Sequence, residues 1–470
     1  MTEYGIRISQ AHYERLMNHL FPPGGVAEQG AFMLAGSMVL PQGKAFLVRE
    51  VILATPEHIA SQSGGHIEFD PDFVAMVIKH ARMERLSVID AHTHPFSTRW
   101  TGFSGVDNYW EPQLFDRIRQ RVPEIDHAAL VFGRGTFQGR VWSASGGIMP
   151  ISSIRVVGQA IVEHYPAKPT ENRREPVEER YSRQVLALSI EGQRKIQQVT
   201  VGVVGVGGTG SHVVQQLAHL GVPKFVLVDS DLIEESNRSR VVGSQPADLT
   251  LSRPKVMVMK RLVKGINRDS QVTCIQKMID STEAISALRN ADVIFCCTDN
   301  LASRGTLNAF AYQYLVPVID MGVEVQPDKE GTIHRVSGRV TVLLPDGACL
   351  RCLGILDPEK VRGEIEEGQR LSYLGAEEAP SPAVVSLNGV IASLAVTEFL
   401  QLVTNFARRQ GERVYWMYDG LKGLVRHIRM GQGLACVTCQ RFLALGDNAN
   451  PNDWLYAQSS DLAVTGLRPT

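Results

Sequence analysis

Apolar runs of strand length alternate with stretches of helical periodicity in the first third of the chain. The strand-like runs are residues 31–34, 45–53, 87–89 and 128–132, and the helical patterns lie around 71–84 and 112–121. Short apolar runs and a 3.6-residue period are the signals of strands and amphipathic helices. The pattern predicts a small α/β domain.

A second domain is indicated downstream of residues 165–176, which are polar, charged and spaced by prolines as in linkers. Residues 199–206 form an apolar run ending in glycines, 211–220 are helical in period, and 224–228 are apolar up to Asp229. This order predicts a βαβ unit of a Rossmann-like domain. We therefore predict a first domain over 1–160, a linker over 161–178, a second domain over 179–445 and a polar tail over 446–470.

Composition narrows the class of protein. The chain has 470 residues, 44% of them hydrophobic, with a net charge of −1. These values exclude a fibrous or disordered chain, and they give no electrostatic reason to propose a surface for nucleic acid or anionic membranes. The N-terminus lacks a signal-peptide pattern, and residues 383–403 are apolar but interrupted by polar side chains, so no membrane span is expected. Seven cysteines, four of them in CxxC pairs, suit zinc in a reducing compartment, with the cytoplasm as the default.

The glycine-rich loop after residue 204 predicts a nucleotide site. Its glycines are Gly205, Gly207, Gly208 and Gly210. Glycines at the start of a helix let backbone N–H groups approach phosphates, for dinucleotides as well as for ATP. Candidate polar partners follow along the chain: Asp229, Asp231, Asn237, Arg240, Lys255 and Asp299. Two cations for a triphosphate and a carboxylate for magnesium favour ATP over a redox dinucleotide.

Two CxxC pairs predict a structural zinc site. Cys349 and Cys352 form the first pair, and Cys436 and Cys439 form the second. Four thiolates complete a tetrahedral zinc site and leave no position for a substrate. The alternative is that one pair is buried or redox-active. No cysteine lies between Cys352 and Cys436.

A different metal site is predicted in the first domain. His92 and His94 precede a proline, and Ser104 and Asp107 follow. Two imidazoles and one carboxylate are three zinc ligands, which leaves a fourth position for water. A nearby carboxylate could act as general base, and Ser104 could donate to an oxyanion. The alternative is a degenerate or structural loop.

Residues 179–442 resemble the superfamily of ubiquitin-activating enzymes and their bacterial adenylyltransferase relatives. The motifs that carry the resemblance are Arg180-Tyr181-Ser182-Arg183-Gln184, Gly192-Gln193, the glycine loop, Asp229 with Asp231, Ser236-Asn237 with Arg240, and Asp299-Asn300. The resemblance implies adenylation of the C-terminal carboxylate of a ubiquitin-like protein by ATP and magnesium. Val241 departs from the family, where glutamine is common.

The same resemblance assigns roles to the second domain's residues. Asp229 and Asp231 match residues near ribose and magnesium, and Asp299 matches a magnesium-linked aspartate. The residues that match phosphate contacts are Asn237, Arg240 and Lys255, although Arg253 lies close to Lys255 in sequence. Arg183 matches an arginine that reaches the nucleotide across a dimer interface, so a homodimer is implied.

Residues 6–143 resemble the JAB/JAMM (MPN) metalloprotease family, which cleaves bonds after ubiquitin-like C-termini. His92, His94 and Asp107 match its zinc ligands, Ser104 its oxyanion serine, and Glu28 its general base. The His94–Ser104 loop is two residues longer than the family pattern, and Glu28 is one residue off the usual spacing. Glu50 is the reserve candidate for the base.

Together these patterns predict a bifunctional enzyme that cleaves after the C-terminus of a ubiquitin-like or sulfur-carrier protein and adenylates that C-terminus. The activated carboxylate would go to a sulfur donor or to a conjugating enzyme. Two alternatives stay open: a scaffold protein with one inactive domain, and adenylation of a peptide or small carboxylate.

Overall fold

The computed structural model describes residues 3–166, 177–374, 382–407, 415–428 and 436–456. Its first domain is a mixed sheet in the order β1-β3-β2-β6-β7-β8-β9-β10, in which β1 also pairs with β9, so the sheet closes on itself. The strands are β1 Glu3–Ser9, β2 Gly30–Leu40, β3 Gly43–Leu53, β4 Ile59–Ser63, β5 His66–Phe69, β6 Ser87–Thr93, β7 His127–Gly133, β8 Thr136–Trp142, β9 Ile148–Val157 and β10 Ile161–His164. The helices are α1 Gln10–Leu20, α2 Pro71–Glu84 and α3 Gly105–Arg121.

The four predicted strand runs lie within β2, β3, β6 and β7, and the helical pattern at 71–84 coincides with α2. The predicted linker of 161–178 begins too early, because β10 pairs antiparallel with β9 and belongs to the first sheet. Its residues 167–176 lie outside the described ranges.

The second domain is a doubly wound α/β sheet in the order β13-β12-β11-β14-β15-β16-β17-β18. Its strands are β11 Thr200–Val204, β12 Lys224–Val228, β13 Gln271–Ile275, β14 Val293–Cys296, β15 Val318–Pro327, β16 Ile333–Leu343, β17 Tyr415–Asp419 and β18 Leu424–His427. Its helices are α4 Ser182–Ile196, α5 Gly208–Leu220, α6 Pro246–Thr250, α7 Lys255–Ile266, α8 Thr282–Leu288, α9 Leu301–Gln313, α10 Pro358–Leu374, α11 Val385–Thr404 and α12 Val437–Arg441.

The five neighbouring strands β13, β12, β11, β14 and β15 are parallel, and the strand order reverses between β11 and β14. In such sheets, ligands bind beyond the carboxyl ends of the strands at this reversal. The Rossmann-like prediction is confirmed, and the glycine loop lies at the reversal.

Helix α11 is long and apolar enough to cross a membrane by length and composition, but 56% of its most apolar window is buried. It packs against α4, α5, β15 and β16. Its apolar composition is accounted for by this position in the core of the second domain.

The first domain packs against the second sheet at the N-terminal ends of its parallel strands. Arg7 Nη1 donates to the Tyr314 carbonyl oxygen (3.1 Å), and Arg155 Nη1 lies 2.5 Å from Asp292 Oδ1. Asp292 Oδ2 in turn accepts from the Thr200 amide at the start of β11 (2.7 Å). The glycine loop lies at the C-terminal ends of these strands, and is therefore on the opposite side of the second domain from the first domain.

The predicted polar tail is packed over its first part. The Asp447 amide donates to the Ser37 carbonyl oxygen (2.7 Å), and Trp454 in the 3₁₀ helix Pro451–Tyr456 is only 3% exposed. These contacts are long-range, so the polar composition of the segment did not indicate them. Residues 457–470 lie outside the described ranges.

The sulfur atoms of Cys349, Cys352, Cys436 and Cys439 come together beside α12, which packs against α9. Cys349 Sγ lies 3.6 Å from Cys352 Sγ and 3.5 Å from Cys436 Sγ, and Cys352 Sγ lies 3.9 Å from Cys439 Sγ. A tetrahedral zinc with Zn–S bonds of about 2.3 Å requires S···S separations of about 3.8 Å. The predicted four-cysteine set therefore fits a closed zinc site.

Replacing one of these ligands should remove one zinc and destabilise the second domain. For Cys436→Ser we expect one zinc equivalent less per chain by elemental analysis. We also expect a Tm lower by roughly 5–10 °C, since each kcal/mol corresponds to about 2–4 °C at this domain size. Cys274→Ser is the matched control because Cys274 is half-buried and outside the cluster. Equal zinc content in both variants would contradict the assignment.

Candidate functional site

His92, His94 and Asp107 converge at the carboxyl end of β6 and the first turn of α3. His92 Nε2 lies 3.3 Å from Asp107 Oδ1, and His94 Nε2 lies 3.5 Å from Asp107 Oδ2. A tetrahedral zinc with bonds of about 2.0–2.1 Å requires ligand separations of about 3.4 Å. His92 Nε2 is buried, and among the described residues it makes no hydrogen bond of good alignment, the Asp107 contact included. The three side chains therefore fit a metal ion with one open position.

Glu28 is brought to this cluster from the loop before β2. Its Oε1 lies 3.6 Å from His94 Nε2, and the residue is 3% exposed. Two backbone hydrogen bonds hold this loop. The Glu28 amide donates to the Ser63 carbonyl oxygen (2.8 Å), and the Thr93 amide donates to the Gln29 carbonyl oxygen (3.0 Å). Burial raises the pKa of Glu28, although the neighbouring histidines oppose the rise. A carboxylate with a raised pKa suits a general base near neutral pH.

Glu50, the reserve candidate, lies elsewhere: its Oε2 is 3.4 Å from His80 Nδ1. Ser104 is the N-cap of α3, and its Oγ accepts from the Asp107 amide (3.1 Å). A hydroxyl that accepts in this way keeps its own hydrogen to donate. The structure thus places Ser104 one helical turn from Asp107, with a hydrogen available for an oxyanion.

The glycine loop connects β11 to α5 in a conformation that its glycines require. Gly205 has φ of +81°, and a Cβ on Gly210 would lie 1.9 Å from the Gly205 carbonyl oxygen. Asp229 Oδ2 accepts from the Val206 amide (2.8 Å), and its Oδ1 accepts from the Asp231 amide (2.9 Å). Together with Gly207 and Gly208, this places the N-terminus of α5 at an open turn suited to phosphate.

Cations flank this turn. Lys255 Nζ lies 2.7 Å from Asp231 Oδ2, whereas Arg253 Nε is held by Asp248 Oδ1 (2.9 Å). The geometry therefore favours Lys255 over Arg253 at the site. The Arg240 side chain also reaches the turn, since its Cδ is 3.2 Å from the position of a Cβ on Gly208.

The other predicted residues of the second domain lie around this edge or on its surface. Asn237 is buried in a 3₁₀ turn, and its Oδ1 accepts from the Glu234 amide (3.3 Å). Asp299 follows β14 and is exposed. Arg183 is exposed on α4, and no described contact joins it to the glycine loop.

Two groups at this site were missed by sequence analysis. Asn388 on α11 is 4% exposed, and its Oδ1 accepts from Thr209 Oγ1 (3.4 Å) across 179 positions of sequence. Arg304 on α9 pairs with the buried Asp320 and donates to the Thr298 carbonyl oxygen, next to Asp299. Neither residue belongs to a local motif, so only the fold brings them to the loop.

The comparisons with known proteins concern the second domain. The model of the ThiF family matches residues 181–436, which is more than half of the chain. The molybdopterin-synthase adenylyltransferase of Escherichia coli is 28% identical over 264 residues, covering 55% of this chain and 95% of that protein. The SAMP-activating enzyme E1 of Haloferax volcanii is 30% identical over 245 residues, covering 52% and 82%.

A third relative, the sulfur carrier protein ThiS adenylyltransferase of Escherichia coli, is 28% identical over 276 residues and covers 58% of this chain and 97% of that protein. The family match begins at residue 181, so the resemblance of the first domain to JAB/JAMM metalloproteases stays a prediction. With its glycine loop, flanking cations and doubly wound sheet in the matched span, the chain belongs to the ThiF family.

Proposed function

We propose that this protein acts at two sites on the C-terminus of a ubiquitin-like protein. The second domain adenylates the terminal carboxylate with ATP and magnesium, and the first domain cleaves the bond that follows this C-terminus. The adenylation half is supported by relatives whose names specify molybdopterin synthase, a sulfur carrier protein and SAMP. The cleavage half is carried by one observation, the convergence of Glu28 on His92, His94 and Asp107.

In the adenylation step, the substrate carboxylate attacks the α-phosphorus of ATP, an acyl-adenylate forms and pyrophosphate leaves. The helix N-terminus at Gly208 and the side chains of Arg240 and Lys255 would stabilise the charge on the phosphates. Magnesium, held by phosphate oxygens and the exposed Asp299, would neutralise the leaving group. Lys255 Nζ lies 2.7 Å from Asp231 Oδ2, which holds the ammonium group beside the glycine loop.

In the cleavage step, Glu28 takes the proton of the attacking water and passes it to the leaving amine. A zinc ion held by His92, His94 and Asp107 would supply a Lewis acid for the scissile carbonyl group. The hydroxyl hydrogen of Ser104 would donate to the oxyanion.

The fate of the acyl-adenylate is constrained by the cysteines. The sequence has none between Cys352 and Cys436, and burial raises the pKa of Cys296 to about 12. A thiol with so high a pKa is a poor nucleophile at neutral pH. We therefore favour direct transfer to an external sulfur donor in the cytoplasm over an enzyme thioester, with transfer to a conjugating protein as the second route.

Homodimerisation is supported by an apolar surface beside Arg183. Leu186 is 81% exposed and Ile190 is 50% exposed on α4, and Val390 on the adjacent α11 is 38% exposed. Clustered exposed apolar side chains mark interaction surfaces. A second copy of the chain that covers this surface would bring Arg183 towards the partner's nucleotide.

Replacing Arg240 should abolish adenylation. Without this cation on the phosphates, Arg240→Ala should lower pyrophosphate exchange that depends on a ubiquitin-like protein by about a hundredfold or more. Arg238→Ala is the matched control, because Arg238 pairs with Glu235 at the surface (2.9 Å). Equal exchange rates in the two variants would remove Arg240 from the site.

Replacing Glu28 should abolish cleavage. A sulfur-carrier protein extended past its Gly-Gly is incubated with enzyme and zinc, and its intact mass is followed. Because the general base is lost, Glu28→Gln should slow shortening by roughly a hundredfold to ten-thousandfold. Glu50→Gln should cleave normally, and the reverse ranking would overturn the assignment. Shortening should not require ATP.

Replacing Leu186 should disrupt the dimer. Sedimentation of the unchanged chain should give twice the monomer mass. Leu186→Asp should sediment as a monomer and lose exchange activity, because burying a charge at an apolar interface is unfavourable. Leu251→Asp is the control, since Leu251 is 62% exposed on the α6 side of the domain. A monomeric unchanged chain would refute the dimer.

A further inference from the structure

A cavity of about 180 Å³ lies beside His92 and Asp107, between the β4–β5 hairpin, α2 and α3. It has room for about six waters at the ~30 Å³ that each occupies in the liquid. Six apolar side chains contribute to its walls, Ile67, Phe69, Val74, Val106, Trp110 and Leu114, and the remaining lining residues are mostly polar or charged. The cavity is therefore a preformed pocket for one long side chain next to the predicted metal site.

A buried carboxylate also lines this cavity. Asp90 is on β6, between Phe32 of β2 and Ala129 of β7, and is 8% exposed. Its Oδ1 has no hydrogen-bond partner among the described residues. Leaving such an atom unpaired costs free energy, so a donor at this point would be bound favourably.

The other charged groups around the cavity do not meet this need. Both Glu111 oxygens are engaged, by the Arg140 guanidinium and the Trp142 indole N–H. Glu68 and Arg117 are exposed at the rim, where their charges are screened by solvent. Asp90 is thus the buried carboxylate of the cavity wall that has an oxygen available to a ligand.

We propose that this cavity binds a lysine or arginine side chain of the polypeptide substrate, directly before or directly after the Gly-Gly sequence. The proposal rests on the peptidase function proposed above. Such a side chain buries its methylene stem along apolar walls and places its charged head on a carboxylate. The indole of Trp110 adds an aromatic surface that attracts cations.

The test compares kcat/KM for sulfur-carrier proteins extended past Gly-Gly by a short peptide. The substrates carry Lys, Arg or Met at the residue before Gly-Gly, or at the residue after it. At one of these positions, the unchanged chain should prefer the basic residues over Met by roughly tenfold to a hundredfold, the value of a hydrogen bond to a buried charge. Asp90→Asn should abolish the preference.

Two further variants sharpen the test. Asp116→Asn is the matched control, because Asp116 is exposed on α3 and pairs with Arg119 (2.6 Å); it should keep the preference. Val74→Lys adds an ammonium group to the cavity wall and should also abolish the preference. This variant tests the proposal if Asp90→Asn does not fold.

Cleavage with no preference at either position, or a preference that survives both cavity variants, would overturn the assignment of the cavity. Absence of cleavage for every substrate by the zinc-loaded, unchanged chain would instead overturn the peptidase function, and this inference with it.

Discussion

The arrangement of the two domains depends on the segment that follows the second CxxC pair. Cys436 and Cys439, at the start of α12, lie against Cys349 and Cys352, where a bound zinc would join the two segments, and the chain then crosses to the first domain. There, the buried Arg49 donates to the carbonyl oxygens of Arg441 and Leu443 while pairing with Glu84. A buried guanidinium needs all of these acceptors because an unpaired buried charge is costly. The cysteine cluster therefore supports the interface as well as the second domain.

This interface directs the two candidate sites away from each other. The first domain covers the N-terminal ends of β11 and β14, and the glycine loop lies at the C-terminal ends of these strands. Within the first domain, Ser37 of β2 meets the crossing segment, while Gly30 at the other end of β2 pairs with His92. A C-terminus that uses both sites therefore has to leave one site before it enters the other on the same chain. The packing of the domains and the separate access to the two sites result from the same contacts.

Residues that act through local sequence could be predicted before the fold was known. The glycine loop, the HxH pair with Ser104 and Asp107, and the CxxC pairs each lie within one turn or one strand–helix junction, so spacing alone indicated them. Asp90, Asn388 and Arg304 could not be predicted, because their roles arise only when distant elements pack. The same applies to β10 and to residues 446–456, which lie in the predicted linker and tail although long-range pairing and hydrogen bonds join them to the folded domains.

The two sites differ in how their polar groups are partnered within the chain. At the nucleotide loop, Lys255 is neutralised by Asp231, and Arg304 by Asp320, which also pairs with Arg339. In the first domain, Asp90 Oδ1 and His92 Nε2 are buried and make no well-aligned hydrogen bond in the described part of the chain, although Asp107 Oδ1 lies 3.3 Å from His92 Nε2. Native proteins seldom leave buried polar atoms unpaired, and exceptions concentrate where an ion or ligand supplies the partner. At the site of the first domain, a metal ion or a ligand donor would therefore supply partners for these two atoms, whereas at the nucleotide loop the cations already have carboxylate partners.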